Sequence, residues 1–514
     1  MKKLLALTLA VAMMLTLLSF TVTASAENTV TIKIPVYDRA FEGWNVTDNF
    51  YTQWIQSEFG DPNGINVQYV AIGRWTEVAD YSQMLAAGNA PDIIFHYDMP
   101  QAVAYWEEGA IQELDLEEMQ TYAPTYYDMT IDMVDDYGYM EDTPYFFFAE
   151  RPNTGYNWLT LIRQDWLDQV GAEMPTNIDE LNAVLLQWKE AGLGVLNHQL
   201  LMNNFTYSYG FWTYPVDEME HTLYLDLSVA DLTTAASEKY LKNLNYEYNN
   251  GLVDSEFYLN TDSNASLADF LDGTAGTYSC YLASGSTVIS SLLANFPDAE
   301  VSVLDPGALA SADSNHYGRA YYPFGMIMGI NASTDEATRI AIWKYLEWMM
   351  QDDNLFKLEN GVEGENYTLS DEGLAVTNAD YAGESVRSGN NNKDYWCLWI
   401  ETAIYNDDDL TYAANLLNFS PPGYEYLIED SYEYFVRDAE FGETEALWTT
   451  NIESRSEYKA DLNTLFQELY VKCAMVPEDE FDATYADACE EYLDAGYQDI
   501  LNEKTDLIEE GMYR

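Results

Sequence analysis

The chain has 514 residues, of which 48% are hydrophobic, which is enough apolar material for at least two packed domains. It carries 87 acidic and 22 basic residues, a formal net charge of −65 at pH 7. Nucleic acid and anionic membrane surfaces need clustered lysine and arginine, so this excess of acids argues against both as partners. The simplest interpretation of the acidity is solubility in a crowded or salty exterior.

The first 26 residues have the pattern of a secretory signal peptide. Two lysines precede an apolar run that ends near Phe20, and the small residues Ala24 and Ala26 stand just before Glu27. The run is too short to favour a retained membrane anchor. We therefore expect a mature, extracytoplasmic chain that begins at Glu27, at the cell surface or in the periplasm. No cysteine occurs before Cys280, so lipid anchoring is not supported.

Four cysteines, Cys280, Cys397, Cys473 and Cys489, are widely spaced, which excludes a disulfide scaffold and a CxxC metal site. Cys473 and Cys489 lie on neighbouring C-terminal segments, where a disulfide and a buried free thiol are equally open. The Asp-rich residues 406–409 lack the glycine and glutamate spacing of an EF-hand, which favours a solvated loop over a calcium site. No metal ion or cofactor is expected.

Hydrophobic periodicity predicts alternating strands and helices after the signal peptide. In chain order these are a strand from Thr29 to Val36, a helix capped by Asp48 and ending before Gly60, a strand from Ile65 to Val70, a helix from Thr76 to Ala87 closed by Gly88, and a strand from Pro91 to Phe95. Strands separated by helices of this length indicate βαβ units and a parallel sheet.

A second α/β unit is predicted from about Asn157 onward. Its elements are a strand from Trp158 to Ile162, a helix that has Thr176 as N-cap with Asp179 in a capping box and ends near Gly192, and strands from Ala275 to Leu282 and from Val301 to Leu304. A further strand from Gly325 to Ile330 and a helix from Thr334 to Met350 follow along the chain. The remainder, from about Asp371, is predicted to be mostly helical.

Several motifs, spread over most of the mature chain, occur in a recognisable order. They are AAGNAPDI at 86–93, YWEEGAIQEL at 105–114, YAP at 122–124, IRQDWL at 162–167 with PT at 175–176 and DEL at 179–181, GVEGENY at 361–367 and AGYQDI at 495–500. Together they resemble the family 1 extracellular solute-binding proteins, in particular the LipO- or LplA-like branch that serves oligosaccharide importers. Two departures are the missing lipobox cysteine and the segment EDTPYFFFAER at 141–151, which replaces the usual family sequence.

The resemblance implies a type II-like periplasmic-binding-protein fold, with two α/β lobes joined by a hinge and the ligand between them. It also implies that the chain crosses between the lobes more than once. The expected division is 1–26 signal peptide, 27–148 lobe 1, 149–318 lobe 2, 319–370 return to lobe 1, and 371–514 a helical part mainly of lobe 2. The implied function is capture of an oligosaccharide for the permease subunits of an ABC transporter, by a monomer that is not an enzyme.

A sugar site needs flat aromatic rings for C–H faces and polar groups for hydroxyls, and loops that follow strands are the favoured positions. Candidate ligand-binding residues chosen on this rule, with one arginine from the departing segment, are Trp44, His96, Tyr97, Asp98, Arg151, Trp212, Tyr281, Tyr321, Tyr322, Trp396 and Trp399.

Some of these candidates have an alternative structural role. Trp44 fits ordinary surface packing as well as a ligand site, and the three-residue spacing of Trp396 and Trp399 also fits one helix face packed on a core. Arg163, in the IRQDWL motif, is expected to pair with a nearby acid rather than to reach a ligand. The tryptophans with helical spacing, Trp54, Trp166, Trp188, Trp343 and Trp348, are predicted to be core residues.

Two other classes of protein share part of this pattern. A secreted glycoside hydrolase or lyase also needs aromatic rings and paired carboxylates, but with 87 acids such pairs occur by chance. The second class is a co-receptor that presents its ligand to a membrane sensor. No GxSxG, HExxH or phosphate-binding glycine loop occurs that would favour another catalytic class.

Overall fold

The structure is a computed structural model. It describes residues 30–40, 42–151, 158–194, 223–226, 228–259, 264–309, 312, 318–319, 322–351, 353–378, 380–381, 393–400, 408–438, 442–443, 447 and 452–511. The strands of three or more residues in these ranges are β1 (Val30–Asp38), β2 (Ile65–Gly73), β3 (Ile93–His96), β4 (Phe147–Glu150), β5 (Trp158–Arg163), β6 (Thr277–Tyr281), β7 (Val301–Val303), β8 (Phe324–Ile330), β9 (Tyr367–Leu369) and β10 (Ala375–Thr377).

Helices cover most of the remaining described chain. They are Phe50–Ile55, Glu77–Ala87, Met99–Glu107, Leu116–Tyr122, Pro124–Tyr137, Gln164–Val170, Ile178–Ala191, Ala235–Asn250, Asn264–Asp272, Gly285–Asn295, Glu336–Met349, Asn354–Asn360, Lys393–Trp396, Asp408–Phe419, Tyr426–Asp438, Glu453–Met475, Phe481–Tyr492 and Gln498–Glu509. None of those we describe is both long and apolar enough to cross a membrane. The helical C-terminal part agrees with the sequence prediction.

The first two strands confirm the predicted parallel pairing. β1 and β2 pair in parallel along their whole length, from Val30 opposite Ile65 to Asp38 opposite Gly73. β3 runs in the same direction as β1. The backbone N–H of Asp92, just before β3, donates to the carbonyl of Lys33 at 2.8 Å, and further along both strands the rings of Tyr37 and Phe95 lie 4.7 Å apart. The carboxyl ends of these three strands therefore lie at one edge.

The βαβ pattern predicted a sheet that is parallel throughout, and this prediction is wrong. β8 pairs antiparallel with β3 on one side and with β4 on the other. All seven residues of β8 are buried, so an uninterrupted apolar run marks a central strand here whatever its direction. In the second unit, β5 lies between β6 and β7 and is antiparallel to both.

The predicted helix ends between β1 and β2 need correction. Asn49, not Asp48, is the N-cap, because its side chain accepts from the backbone N–H groups of Tyr51 and Thr52. The helical turns continue through Gly60 as far as Asn63. They end at Gly64, where φ is +65° and glycine has no steric penalty.

A similar shift occurs at the helix Ile178–Ala191. Asn177 is the N-cap and accepts from the backbone N–H of Glu180, whereas Thr176 was predicted. The Glu180 carboxylate accepts from the hydroxyl of Thr176 at 2.8 Å, so Thr176 stands one residue before the N-cap and is held there by this bond. The predicted end at Gly192 is confirmed, as is the end of the helix Glu77–Ala87 at Gly88.

Buried apolar side chains form separate cores that divide the chain. One core draws on residues 32–149, 324–358 and 395–400, and β1, β2, β3, β4 and β8 all contribute to it. Two adjoining cores surround β5, β6 and β7, and a fourth joins residues 229–257 to residues 447–508. Residues 395–400 thus pack with the amino-terminal core, although they fall in the part expected mainly in lobe 2.

The chain passes between these cores at three adjacent places. The backbone N–H of Glu150 donates to the carbonyl of Trp399 at 2.9 Å, and that of Arg151 donates to Pro323 at 2.7 Å. The described residues 150–151, 323 and 399 at the ends of the amino-terminal core segments thus lie side by side. More than one crossing is what the family resemblance implies.

All four cysteines are free thiols. Cys473 is buried, and burial raises the pKa of its thiol to about 12. Cys489 is partly exposed, and its thiol lies 3.5 Å from the carbonyl oxygen of Leu232. Of the two alternatives for this pair, the structure therefore has the free thiols.

Candidate functional site

The carboxyl ends of β1, β2 and β3 place three short loops side by side. Arg39 follows β1, Arg74 and Trp75 follow β2, and Tyr97 follows β3. Side chains that leave parallel strands at one edge converge, and such edges are where open α/β sheets bind ligands. This edge is therefore the candidate binding site.

Arg74 is at the centre of an aromatic group at this edge. The central carbon of its guanidinium lies 4.9 Å from the ring centroid of Tyr37, 5.4 Å from that of Tyr97 and 5.5 Å from that of Trp75. The rings of Tyr37 and Tyr97 are nearly parallel, 6.2 Å apart at 12°. Trp75 is 84% exposed, so its ring is available to a sugar face.

The carboxylate of Glu77 binds two side chains at this edge, those of Arg74 and His96. The carboxylate accepts from Arg74 at 3.2 Å and is in contact with Nε2 of His96. Burial raises the pKa of Glu77, but the His96 hydrogen bond, the nearby Tyr37 and the Arg74 charge outweigh it, so the pKa lies below its ordinary value. We call Tyr37, Arg74, Trp75, Glu77, His96 and Tyr97 the Arg74 cluster.

His96 has an internal role, which corrects its assignment as a ligand contact. Its Nδ1 accepts from the backbone N–H of Asp98 at 2.9 Å, so in the neutral ring Nε2 carries the proton and donates to Glu77. Both ring nitrogens are thus used within the protein. Tyr97 is half-buried in the Arg74 cluster and Asp98 is exposed, so both remain candidates.

A second arginine at this edge is tied to the segment before Trp396. Arg39 donates to both carboxylate oxygens of Asp394, from Nε at 2.9 Å and from a terminal nitrogen at 2.9 Å. Burial lowers the pKa of Arg39, but the bonds to Asp394 outweigh this and raise it.

The candidate Trp44 is half-buried, and its ring packs edge-on against the ring of Tyr51, with the two ring centroids 6.2 Å apart.

Two aromatic rings lie on the β5–β6 sheet. Trp158 and Tyr281 are opposite each other in the strand register, and their rings stack 4.8 Å apart at 21°. Tyr281 is 53% exposed at the end of β6, as expected for a ring that follows a strand. Trp158 comes seven residues after Arg151, so this pair belongs to the part of the second unit next to a crossing.

Two further candidates lie at the crossing itself. Arg151 is half-buried, and its backbone is fixed by Pro323. Tyr322 is also half-buried, stacks on Phe324 at 5.2 Å and 5°, and meets Tyr137 edge-on at 5.8 Å. Both residues therefore lie beside the place where the chain passes from the amino-terminal core to the cores around β5.

Trp396 and Trp399 need a correction. They are 3% and 0% exposed, and the indole N–H of Trp399 donates to the carbonyl of Leu346 at 2.9 Å. Their three-residue spacing thus marks packing on a core, the alternative that the sequence left open, and they have almost no surface to offer a ligand. Trp212 and Tyr321 lie outside the described residues.

Sequence reasoning missed Arg74, Trp75 and Trp158. The rule that aromatic residues just after strands face a cleft would have selected Trp75, but the alternation predicted a strand that ended at Val70. β2 continues to Gly73, which places Trp75 two residues after the strand end. Trp158 was passed over because it begins a strand instead of following one.

The comparisons with known proteins decide the family. The sequence profile of the bacterial extracellular solute-binding proteins matches residues 54–358, which is more than half of the chain. The chain belongs to this family. A search of curated proteins returned no match.

Solved structures of solute-binding proteins share the fold. AlgQ2, an alginate-binding protein without calcium ion, has a TM-score of 0.62 at 17% identity, over 93% of this chain and 97% of its own. A Streptococcus pneumoniae FusA mutant in complex with fructo-nystose gives 0.61 at 15%, over 94% and 99%. An HMO-binding protein from Bifidobacterium longum infantis gives 0.61 at 14%, over 93% and 98%. These likenesses confirm the two-lobed α/β fold.

Proposed function

We propose that this chain is the oligosaccharide receptor of an ABC importer. In this role it captures the ligand between its two lobes outside the cytoplasm and delivers it to permease subunits. Membership in the extracellular solute-binding family supports the receptor role, and structural neighbours in complex with oligosaccharides support the ligand class. The resemblance of the motifs at 162–167 and 361–367 supports assignment to the LipO- or LplA-like branch.

The observation that carries the ligand class is the Arg74 cluster. The indole of Trp75 is 84% exposed, and its flat face matches the C–H face of a pyranose. Trp75 stands beside the Tyr37–Tyr97 stack at the carboxyl-end edge of β1, β2 and β3. Polar groups for sugar hydroxyls lie next to it, on Arg74 and Asp98.

The second lobe supplies the opposing surface. Tyr281 and Trp158 form a stacked and partly exposed pair next to a crossing, where a bound chain of sugars would be reached from both sides. Ligand that touches Trp75 on one lobe and Tyr281 on the other stabilises the closed form, because those contacts are made together only when the lobes approach. The closed form then presents the surface that a permease recognises. No covalent step is needed.

A ligand screen with product analysis tests this function. The mature protein is mixed with plant, host and microbial oligosaccharides while thermal stability and tryptophan fluorescence are followed, and each mixture is then chromatographed. We expect a saturable shift with an intact glycan. Shortened products would make the protein a glycoside hydrolase or lyase, and the absence of any shift across the panel would contradict the proposed ligand class.

A further inference from the structure

We infer that the oligosaccharide is uncharged. The inference rests on the proposed function and narrows its substrate class to neutral glycans, as opposed to glycans that carry uronic acids or sulfate. The observation behind this inference is that the arginines at the carboxyl-end edge of β1, β2 and β3 are paired with carboxylates of the protein. The alternative is a real one, because the same fold serves a protein described as alginate-binding, and alginate is a polyuronate.

Each arginine at this edge already holds a carboxylate of the protein. Arg74 pairs with Glu77 at 3.2 Å, and Arg39 holds both oxygens of Asp394. Recognition of a carboxylate or sulfate on a ligand uses a guanidinium whose paired N–H groups face the ligand. A charged ligand would find both guanidiniums already compensated by a carboxylate, and displacing either pair would weaken the bonding of a buried acid, which opposes binding.

The same edge carries more acids than bases. The two arginines stand among four carboxylates, those of Asp38, Glu77, Asp98 and Asp394. Asp98 is exposed directly after β3 and Asp38 ends β1, so an anion that approached Trp75 would meet negative charge from two strands. A sugar hydroxyl has no such penalty, because carboxylates accept hydrogen bonds from it.

Basic residues are also scarce beyond this edge. Several described arginines of the helical parts pair with acids of the protein, namely Arg163 with Asp165, Arg437 with Asp305 and Arg339 with Glu118. Arg151, at the crossing, makes contacts within the chain. The aromatic rings therefore provide most of the recognition surface.

The test uses oligosaccharides in matched pairs, one neutral and one with a uronic acid at the same position. Dissociation constants are measured by titration calorimetry at about 0.05 M and about 0.5 M sodium chloride. We expect the neutral member to bind at least tenfold more tightly, with less than a twofold change between the two salt concentrations. Tighter binding of the uronate member, weakened by salt, would overturn this inference and leave the proposed function intact. Binding of neither member across the panel would instead refute the proposed function.

A charge variant tests the structural cause. Glu77→Gln removes the acid that neutralises Arg74 and keeps the shape of the side chain, so the preference for the neutral member should fall by about tenfold. Glu107→Gln, an exposed acid on the helix Met99–Glu107, removes the same charge away from the site and should leave the preference unchanged. A folded Glu77→Gln protein with the wild-type preference would overturn the assignment to the Arg74 pair. The wild-type pairs decide the ligand charge even if this variant does not fold.

Discussion

Two carboxylates of this chain are each held by a pair of basic side chains, in opposite surroundings. Glu77 binds Arg74 and His96 at the carboxyl ends of the amino-terminal strands, where the Arg74 side chain is 27% exposed. Asp226 binds Lys504 at 2.7 Å and Arg455 at 3.5 Å in the C-terminal helical core, and its side chain is 1% exposed. The bonding pattern is similar, but only the first group has open surface next to it.

The difference shows how burial separates a structural ion group from a recognition group. Both basic partners of Asp226 are buried, and the group ties the segment before Val229 to the helices Glu453–Met475 and Gln498–Glu509. Its bonds are satisfied internally, so nothing is left for a ligand. Glu77 instead fixes an arginine whose other face supports exposed aromatic rings. Variants at the two groups should therefore change different properties.

The largest effect is expected at the buried group. Lys504→Met leaves Asp226 buried with a weaker partner, so the free energy of unfolding should fall by about 3 to 5 kcal/mol. Urea denaturation measures this, with Lys472→Met, an exposed lysine on the helix Glu453–Met475, as the control. Ligand affinity of the folded protein should be unchanged. A loss below about 1 kcal/mol would mean that the buried ion group contributes little to stability.

Trp75→Ala should weaken ligand binding and leave the stability of the protein nearly unchanged. We expect ligand binding to weaken by at least tenfold, about 1.4 kcal/mol, since the ring stacks on a sugar, while the free energy of unfolding stays within about 0.5 kcal/mol of wild type. Calorimetric titration and urea denaturation measure the two quantities. Val436→Ala, which removes an exposed apolar side chain elsewhere, is the control. Normal affinity in the Trp75 variant would remove this residue from the site.

Tyr281→Ala tests the opposing surface and should have a smaller effect. The tyrosine is 53% exposed and keeps part of its ring against Trp158, so we expect affinity to fall by about fivefold. In the double variant with Trp75→Ala, the loss should differ from the sum of the two single losses, because both rings contact the same ligand and do so together only when the lobes approach. An unchanged affinity for Tyr281→Ala would mean that the ligand is bound by the amino-terminal lobe alone.

The smallest effect is expected in the pH dependence. The pKa of Glu77 is lowered in the folded protein, so the ionised group stabilises the Arg74 cluster above the ordinary carboxyl pKa and this stabilisation is lost as pH falls through the folded pKa. Affinity should be constant from about pH 8 to about pH 5 and should fall by a few fold below about pH 4. In Glu77→Gln the fall attributable to this group should be absent. Identical profiles for the two proteins would contradict the role of Glu77.

The sequence predicted most of the architecture, because its signals are local. Alternation located β1 and β2, and glycines located the ends of the helices at Gly88 and Gly192. The direction of β8 could not be read in this way, since a fully buried strand has the same apolar run in either direction. The direction of β8 is set by its pairing with β3 and β4, which are distant in the sequence.

The candidate site was predicted less well, for a related reason. Tyr97 and Asp98 follow β3, and Tyr281 is the last residue of β6, so all three stand at the carboxyl end of a strand. Trp399 follows no strand, and only the three-dimensional packing shows that its ring is covered by the amino-terminal core. The pairing of Glu77 with His96 joins residues 19 positions apart through β3, which no pattern in the sequence indicates.

Small-angle X-ray scattering with and without a saturating oligosaccharide tests the central claim most directly. If the ligand bridges Trp75 on one lobe and Tyr281 on the other, the radius of gyration of the wild-type protein should fall when ligand binds. An unchanged radius of gyration, in a sample where calorimetry shows that the ligand is bound, would contradict capture between the lobes.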